Sequence, residues 1–449
     1  MWGGATAKIV ATLRTHSAYC TNASLMLKIK NLIMLFASTL KTYGYDVDRL
    51  YALLQELRDH YNEVLMQRWV GQFRDIFDQD NYHPIAVSSS LEWRDVTASF
   101  PYESPSLEAS PFPKHFPFSA MVPRVYTEVQ EFIISCLQFS EDLQLTQNEV
   151  DETVRRSTNL LLTRTLSGCL SSLIRRPSLS LLQLIQIVIN TLHLEETNIY
   201  LENFISELTG TGQDANHVAR LQARSMFKDI RAEGEEYIYK KLVSKMDEFL
   251  ELANYDWMMA DPTGQASPWL MDLIAFLKSV FESFTNLPPK LAQMACMSSC
   301  QHLARSIMAL LLQENIKAIS TGVLQQIDLD LVQCEMFASS EPVPGMEEGV
   351  LVMCFSDLRQ LLDLFVSWDW STYFADFGKS DSSRYVRVQP ATALVILDKL
   401  KEADKKNSRY ENNHLNNFDI FPQFWWPCHE QERQGQGETE RGCTSPTQV

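Results

Sequence analysis

From Asp46 to Asp80 the residues Leu50, Leu53, Leu54, Leu57, Tyr61, Val64, Leu65, Trp69, Phe73, Ile76 and Phe77 recur every three or four positions. A strand would need alternation by two, so this spacing confines the stretch to one long amphipathic helix, with Asp46 placed to cap it. The same period predicts helices at residues 22–43, 123–141, 178–208, 215–255, 288–316, 322–338, 354–377 and 390–406. Local signals mark further starts. Thr146 and Glu149 have the spacing of a capping box and open a helix that Pro177 ends. Ser267 followed by Pro268 joins an N-cap to a proline suited to the first helical position. Sixteen glycines and eighteen prolines in 449 residues are few for a turn-rich β architecture, so the fold class expected is all-α.

Helical period fails in two places. Six prolines lie between Pro101 and Pro123, a density that no helix is expected to survive, so residues 91–122 read as a linker or an extended arm packed on its neighbours. After Asn407 the sequence turns polar and aperiodic, and residues 408–449 are expected to form a disordered tail. With a second boundary near Leu208–Asn216, the domains expected are 1–90, 91–122, 123–210, 211–407 and the tail.

Charge narrows the partners. Fifty-six acidic against 39 basic residues give a net charge of -17, which repels phosphate backbones and excludes nucleic acid as a main partner. Lys8 and Arg14 interrupt any signal-peptide core, and no apolar run reaches the ~18 residues a spanning helix needs. A cytoplasmic chain is expected, with its nine irregularly spaced cysteines reduced and the sequon at Asn22–Ser24 silent.

Each cluster with chemical potential has a plainer explanation. Gly210, Gly212 and Ala215 imitate a dinucleotide fingerprint, but a helical stretch precedes them where a strand is required, so a helix C-cap and turn is expected. Glu56, His60 and Glu63 share a helix face without the paired motifs of a metal bundle. Cys296, Cys300 and His302 lack a second pair of zinc ligands. No Gly-x-Ser-x-Gly elbow occurs. In Phe365–Gly378, "FVSWDWSTYFADFG", an unbroken helix would drive Asp369 into an apolar face at a cost of several kcal/mol. Either the helix breaks at Trp368, so that Asp369 caps a final turn ended by Gly378, or Asp369 accepts hydrogen bonds from an indole or a neighbouring helix. No catalytic residue, cofactor, metal or small-molecule substrate is expected, and an all-α hydrolase or metalloenzyme is the least favoured reading.

The stretch "TGVLQQIDLDLVQCEMF" is different. Leu324, Ile327, Leu331 and Cys334 form one apolar stripe, while Leu329, Val332 and Met336 form a second, with Asp328 and Asp330 beside them. A helix with two apolar faces is either sandwiched between neighbours or docks a partner with one of them.

Several motifs go further: "STNLLLTRTLSGCL", "DEFLELANYDW", "ACMSSCQHL", "QCEMFASSEPVPG", "DLRQLLDLFVSWDWSTYFADFG" and "RVQPATALVILDKLKEADKKN". Together, colinear from about Lys8 to Asn407, they resemble the C-terminal half of the exocyst complex component 6 family, and the last is most similar to its 6B branch. The resemblance implies an elongated rod of successive antiparallel helical bundles, in which residues 1–90 are the end of an upstream bundle. It implies a non-enzymatic subunit that tethers secretory vesicles to the plasma membrane, peripheral to both membranes through its partners. Those partners would be other exocyst subunits and a GTP-loaded Rab GTPase. The family's Rab-docking element corresponds to Val323–Phe337, which carries the role to Asp328, Leu329 and Val332. The N-terminal half of the family and its basic helical end have no counterpart in this sequence. A purely structural scaffold without Rab binding is the alternative.

Overall fold

The computed structural model describes residues 2–211, 220–376 and 383–408, and these are helical almost throughout. Helices α1 (Trp2–Ser17), α2 (Ala23–Thr42) and α3 (Asp48–Gln79) lead into an arm holding α4 (Ser90–Ser99), α5 (Pro105–Ala109) and the strands β1 (Ala86–Val87) and β2 (Lys114–His115). Next come α6 (Met121–Ser140), α7 (Gln147–Leu160), a π-helical turn (Leu161–Leu166), α8 (Ser167–Ile174), α9 (Leu181–Glu196), α10 (Asn198–Thr209) and α11 (Ala223–Leu250). The last series is α12 (Pro268–Glu282), α13 (Pro289–Leu312), α14 (Thr321–Ser339), α15 (Val350–Met353), α16 (Ser356–Ser367), α17 (Trp370–Asp376) and α18 (Pro390–Ser408). The all-α expectation holds. Tail residues 409–449, and Gly212, Ala215 and Gly378, lie outside the described residues.

The chain divides into two compact units. The first comprises Met1–Leu252, Trp269–Leu303 and Met336–Cys354; the second comprises Ala253–Pro268, Ala304–Glu335 and the chain from Phe355.

In the first unit the apolar stripe predicted on α3 is buried at all eleven positions, against α1, α2, α6 and α8. Its entry differs from expectation. Val47 occupies the N-cap, and Asp46 instead accepts the N–H of Asp48 at 3.1 Å, an Asx turn one residue upstream. Helix α2 buries Met26, Lys30, Ile33 and Ala37. It is also long and apolar enough, by length and composition, to cross a membrane, contrary to the expectation that no segment would be, because lysines are its only charged residues. The capping box of Thr146 and Glu149 is present, and Gly210 ends α10 at φ 68°, the helix C-cap expected there.

The proline-rich segment packs as an arm, and short helices do form in it. Pro105 opens α5 because a proline at the first position has no N–H to waste there, and Ser104 caps the turn. Phe116 and Phe118 are fully buried, and Tyr102 meets both rings at 5.7 and 5.2 Å. Residues 178–208 divide at Thr197 into α9 and α10.

Helices α9 and α11 pack closely at Gly234, where a Cβ would stand 2.6 Å from Val188 Cγ2. Alanine is favoured over glycine in a helix by about 1 kcal/mol, but overpacking a core costs about 1–3 kcal/mol. Gly234→Ala is therefore expected to lower the urea midpoint, whereas the same change made on a Val188→Ala background should raise it.

In the second unit the helix breaks at Trp368, whose backbone is left-handed at φ 55°. Asp369 then caps α17: its Oδ1 accepts the Thr372 N–H at 3.4 Å and the Ser371 hydroxyl at 3.3 Å, and its Oδ2 accepts the Tyr385 hydroxyl at 3.2 Å. Hydrogen bonds, first from Thr372, hold this carboxyl below its usual range. The first route left open for Asp369, a break at Trp368 with Asp369 as cap, is the one taken; its further donor is the hydroxyl of Tyr385, which lies in a turn and is neither an indole nor part of a neighbouring helix. At the end of α13, Lys399 of α18 donates to the carbonyls of Leu311 and Gln313 at 2.6 and 2.8 Å, satisfying acceptors that the helix end leaves open.

Candidate functional site

Helix α14 resolves its two apolar stripes by burying one. Val323, Leu324, Ile327, Leu331 and Cys334 are all at most 2% exposed. Val332 is 37% exposed and Leu329 is half-buried, so that stripe faces outward.

The buried face is stitched to the segment that precedes α12. Ser320 donates its N–H to the Trp257 carbonyl at 2.9 Å and its hydroxyl to the Met259 carbonyl at 2.5 Å. Nearly two turns on, Gln326 Oε1 accepts both the N–H and the hydroxyl of Thr263 at 2.8 Å, while its Nε2 donates to the Gln265 carbonyl at 2.8 Å. Another turn on stands Asp330, fully buried. Its Oδ1 accepts the Ser267 N–H at 2.6 Å, and its Oδ2 accepts the hydroxyls of Ser267 at 2.7 Å and Tyr255 at 2.5 Å. Burial, together with the Asp330 charge, pushes the Tyr255 phenol far above its ordinary pKa, so it stays a donor. Ser267 thus gives its hydroxyl to Asp330, a partner that its expected role as an N-cap did not include. Gly322 makes the close approach possible, because a Cβ there would lie 2.5 Å from the carbonyl oxygens of both Met259 and Ala260.

Asp330 corrects the sequence-based placement. It was set beside the outer stripe with Asp328, but it stands seven residues from Val323 and four from Cys334, on the buried side. The period alone could have put it there. What the period could not supply was the donors, which come from residues more than sixty positions away.

The outer face has its own polar frame. Arg359 of α16 holds Glu335 through two bonds of 2.8 and 2.6 Å, Asp328 at 2.5 Å and Asp363 at 3.4 Å. Hydrogen bonding to Glu335 is the main reason its pKa is raised. One cation among three carboxylates leaves the surroundings of Leu329 and Val332 acidic. Asp328, Leu329 and Val332 do share a helix face, at relative positions of one and four, but Asp328 is engaged by Arg359. Glu335 and Arg359 went unnoticed in the sequence. Glu335 could have been found, two turns from Asp328 on the same side; Arg359 sits on another helix and left no local signal.

The other clusters have ordinary partners. Glu56 pairs with Arg14 at 2.8 Å, His60 bonds the Cys20 carbonyl at 3.1 Å, and His302 pairs with Asp247 at 2.7 Å. Cys296 and Cys300 are buried, and the cysteines form no disulfide among the described residues.

This is the architecture of an all-α chain of successive helical elements, and comparison with known proteins says of which family. The sequence pattern described as "Exocyst complex subunit Sec15 C-terminal" matches residues 49–399. Human exocyst complex component 6 is 53% identical over 419 residues, which is 93% of this chain and 52% of the relative. Human exocyst complex component 6B is 50% identical over the same shares, a difference too small to choose between the two branches. A crystal structure of a Sec15 C-terminal domain, 44% identical, superposes with a TM-score of 0.55 over 71% of this chain and 99% of that one. The chain belongs to the exocyst component 6 (Sec15) family, and it spans about half the length of the curated relatives it matches.

Asp330→Ala would leave the Ser267 and Tyr255 donors without their acceptor and is expected to cost about 3 kcal/mol. Leu329→Ala and Val332→Ala, on the outer face, are each expected to cost under about 1 kcal/mol. Denaturant titrations of the three variants check the contrast.

Proposed function

We propose that this chain acts as a non-enzymatic part of an exocyst subunit, tethering secretory vesicles to the plasma membrane, and that α14 recognises a Rab GTPase in its GTP form. One observation carries the reading. Helix α14 is held along one side by the strap and is apolar on the other, with Val332 exposed and Leu329 half-buried beside an acidic frame of Asp328, Glu335 and Asp363. A helix that needed its second face only for packing within the chain would not leave it open. Family membership supports the tethering role, and contacts with other exocyst subunits follow from it as part of the same proposal.

The recognition would work through order. A γ-phosphate orders the switch regions of a small GTPase, and the ordered switches form a surface onto which a rigid apolar helix face can close. Hydrolysis releases them and the surface is lost. Because the strap of residues 253–267 fixes α14 before any partner arrives, little ordering cost falls on the chain when it binds.

A binding series across a panel of Rab GTPases, each loaded with GTP or GDP, tests this directly. At least one GTP form should bind, with its GDP form weaker by tenfold or more. The double change Leu329→Ala with Val332→Asp should weaken that complex at least tenfold, about 1.4 kcal/mol, with an unchanged melting curve. Equal binding of both nucleotide forms, or a variant that binds like the parent, overturns the proposal.

A further inference from the structure

Two pairs of adjacent arginines precede a hydroxyl residue at the same spacing, and the fold treats them oppositely. Arg155 and Arg156 stand three and two residues before Thr158; Arg175 and Arg176 stand three and two residues before Ser178. The first run is closed. It lies within α7, where Thr158 is fully buried with its hydroxyl on the Val154 carbonyl at 2.8 Å, and Arg155 is buried against Asp151 at 2.7 Å.

The second run is open. It occupies the connector of residues 175–180 between α8 and α9, where Pro177 brings no N–H to continue a helix. Ser178 is exposed, and its hydroxyl bonds no other described residue. Leu179 is the one buried residue of the connector, and the turn around Ser178 is closed by the Leu179 N–H on the Arg176 carbonyl at 3.4 Å. Local opening there disturbs little else. Arg175 pairs with Glu233 at 2.5 Å and Arg176 with Asp78 at 2.6 Å, both toward the surface. Pairs of that kind are weak and screened, so an acidic partner surface can take the arginines over. Two arginines ahead of an exposed serine are the charge pattern by which a kinase selects its substrate.

The surroundings also suit a phosphate on the same hydroxyl. Lys241 of α11 donates to the Leu179 carbonyl at 2.6 Å and to the Pro177 carbonyl at 3.4 Å, which sets its ammonium beside the backbone on both sides of Ser178. Among the described residues its partners are carbonyls, so its charge is unmatched. Helix α9 begins three residues on, behind the Ser180 cap, and a helix start favours an anion.

We infer that Ser178 is a phosphorylation site for an arginine-directed serine kinase, with the phosphate then resting against Lys241 and the start of α9. In the transfer, Ser178 Oγ bonds to the γ-phosphorus of magnesium-bound ATP as the bond from that phosphorus to the β,γ-bridging oxygen breaks. ADP leaves with the electron pair, and the hydroxyl proton passes to the kinase's carboxylate base. The added charge of about -2 fastens the connector to α11. The site belongs to the first unit, whereas Leu329 and Val332 belong to the second.

Incubating the folded full chain with ATP and the catalytic subunit of cyclic-AMP-dependent kinase, then mapping the phosphate by mass spectrometry, tests the inference. Ser178 should be modified and Thr158 should not, and S178A should lose the incorporation. R175Q and R176Q should each slow it by about tenfold while melting like the parent. The modified chain should melt above the parent at low salt, by a margin that shrinks as salt is raised. The L329A/V332D chain should be modified like the parent, which keeps the outcome independent of Rab binding. Phosphate that enters a synthetic peptide of residues 172–184 but not the folded chain overturns the inference, because the site is then closed by the fold. So does incorporation that maps elsewhere or that R175Q and R176Q leave unchanged. A modified chain that melts no higher than the parent overturns the seat assigned to the phosphate.

Discussion

The buried carboxylate of Asp330 is the interaction on which the outer face of α14 depends. A carboxylate sealed from water costs several kcal/mol unless its lone pairs are filled, and here one backbone N–H and two hydroxyls fill them. Those donors belong to the strap before α12, so satisfying the charge pins the strap to the helix. Gln326, one turn before Asp330, and Ser320, just ahead of the helix, bond the same strap. The result is directional. One side of α14 is fixed by polar groups that accept only one geometry, and the apolar residues opposite are left with nothing from the strap to cover them.

The same logic separates what holds this protein together from what it offers outward. Within the first unit, α3 is buried by hydrophobic contact with several helices, and α9 and α11 approach through Gly234. Such packing is insensitive to the chemistry of a partner. Exposed Val332, by contrast, stands where charge is arranged around it, beside the acidic frame of Asp328, Glu335 and Asp363.

Helix identity was legible to a large degree, because a 3.6-residue period survives in almost every segment. Caps were less so. Thr146 and Glu149 are a local pair and were found, while Ser267 gave its hydroxyl to a residue sixty-three positions away. Asp369 shows the middle case. Its neighbours required a break in the helix, and the break is at Trp368, but the Tyr385 hydroxyl that completes its shell was invisible locally. Helix α1 had no prediction at all, since its Gly3, Gly4 and threonines blur the period that α3 displays so clearly.

By itself the sequence determined the all-α class, the positions of most helices and, through six motifs, the family. These depend on neighbours within a few turns, where spacing and capping act directly. Only the tertiary structure decided which stripe of α14 is buried, which donors meet Asp330, and that Arg359 draws Asp328 and Glu335 into one frame. Each of those outcomes is a meeting of residues distant along the chain, and no local periodicity encodes which partners will arrive.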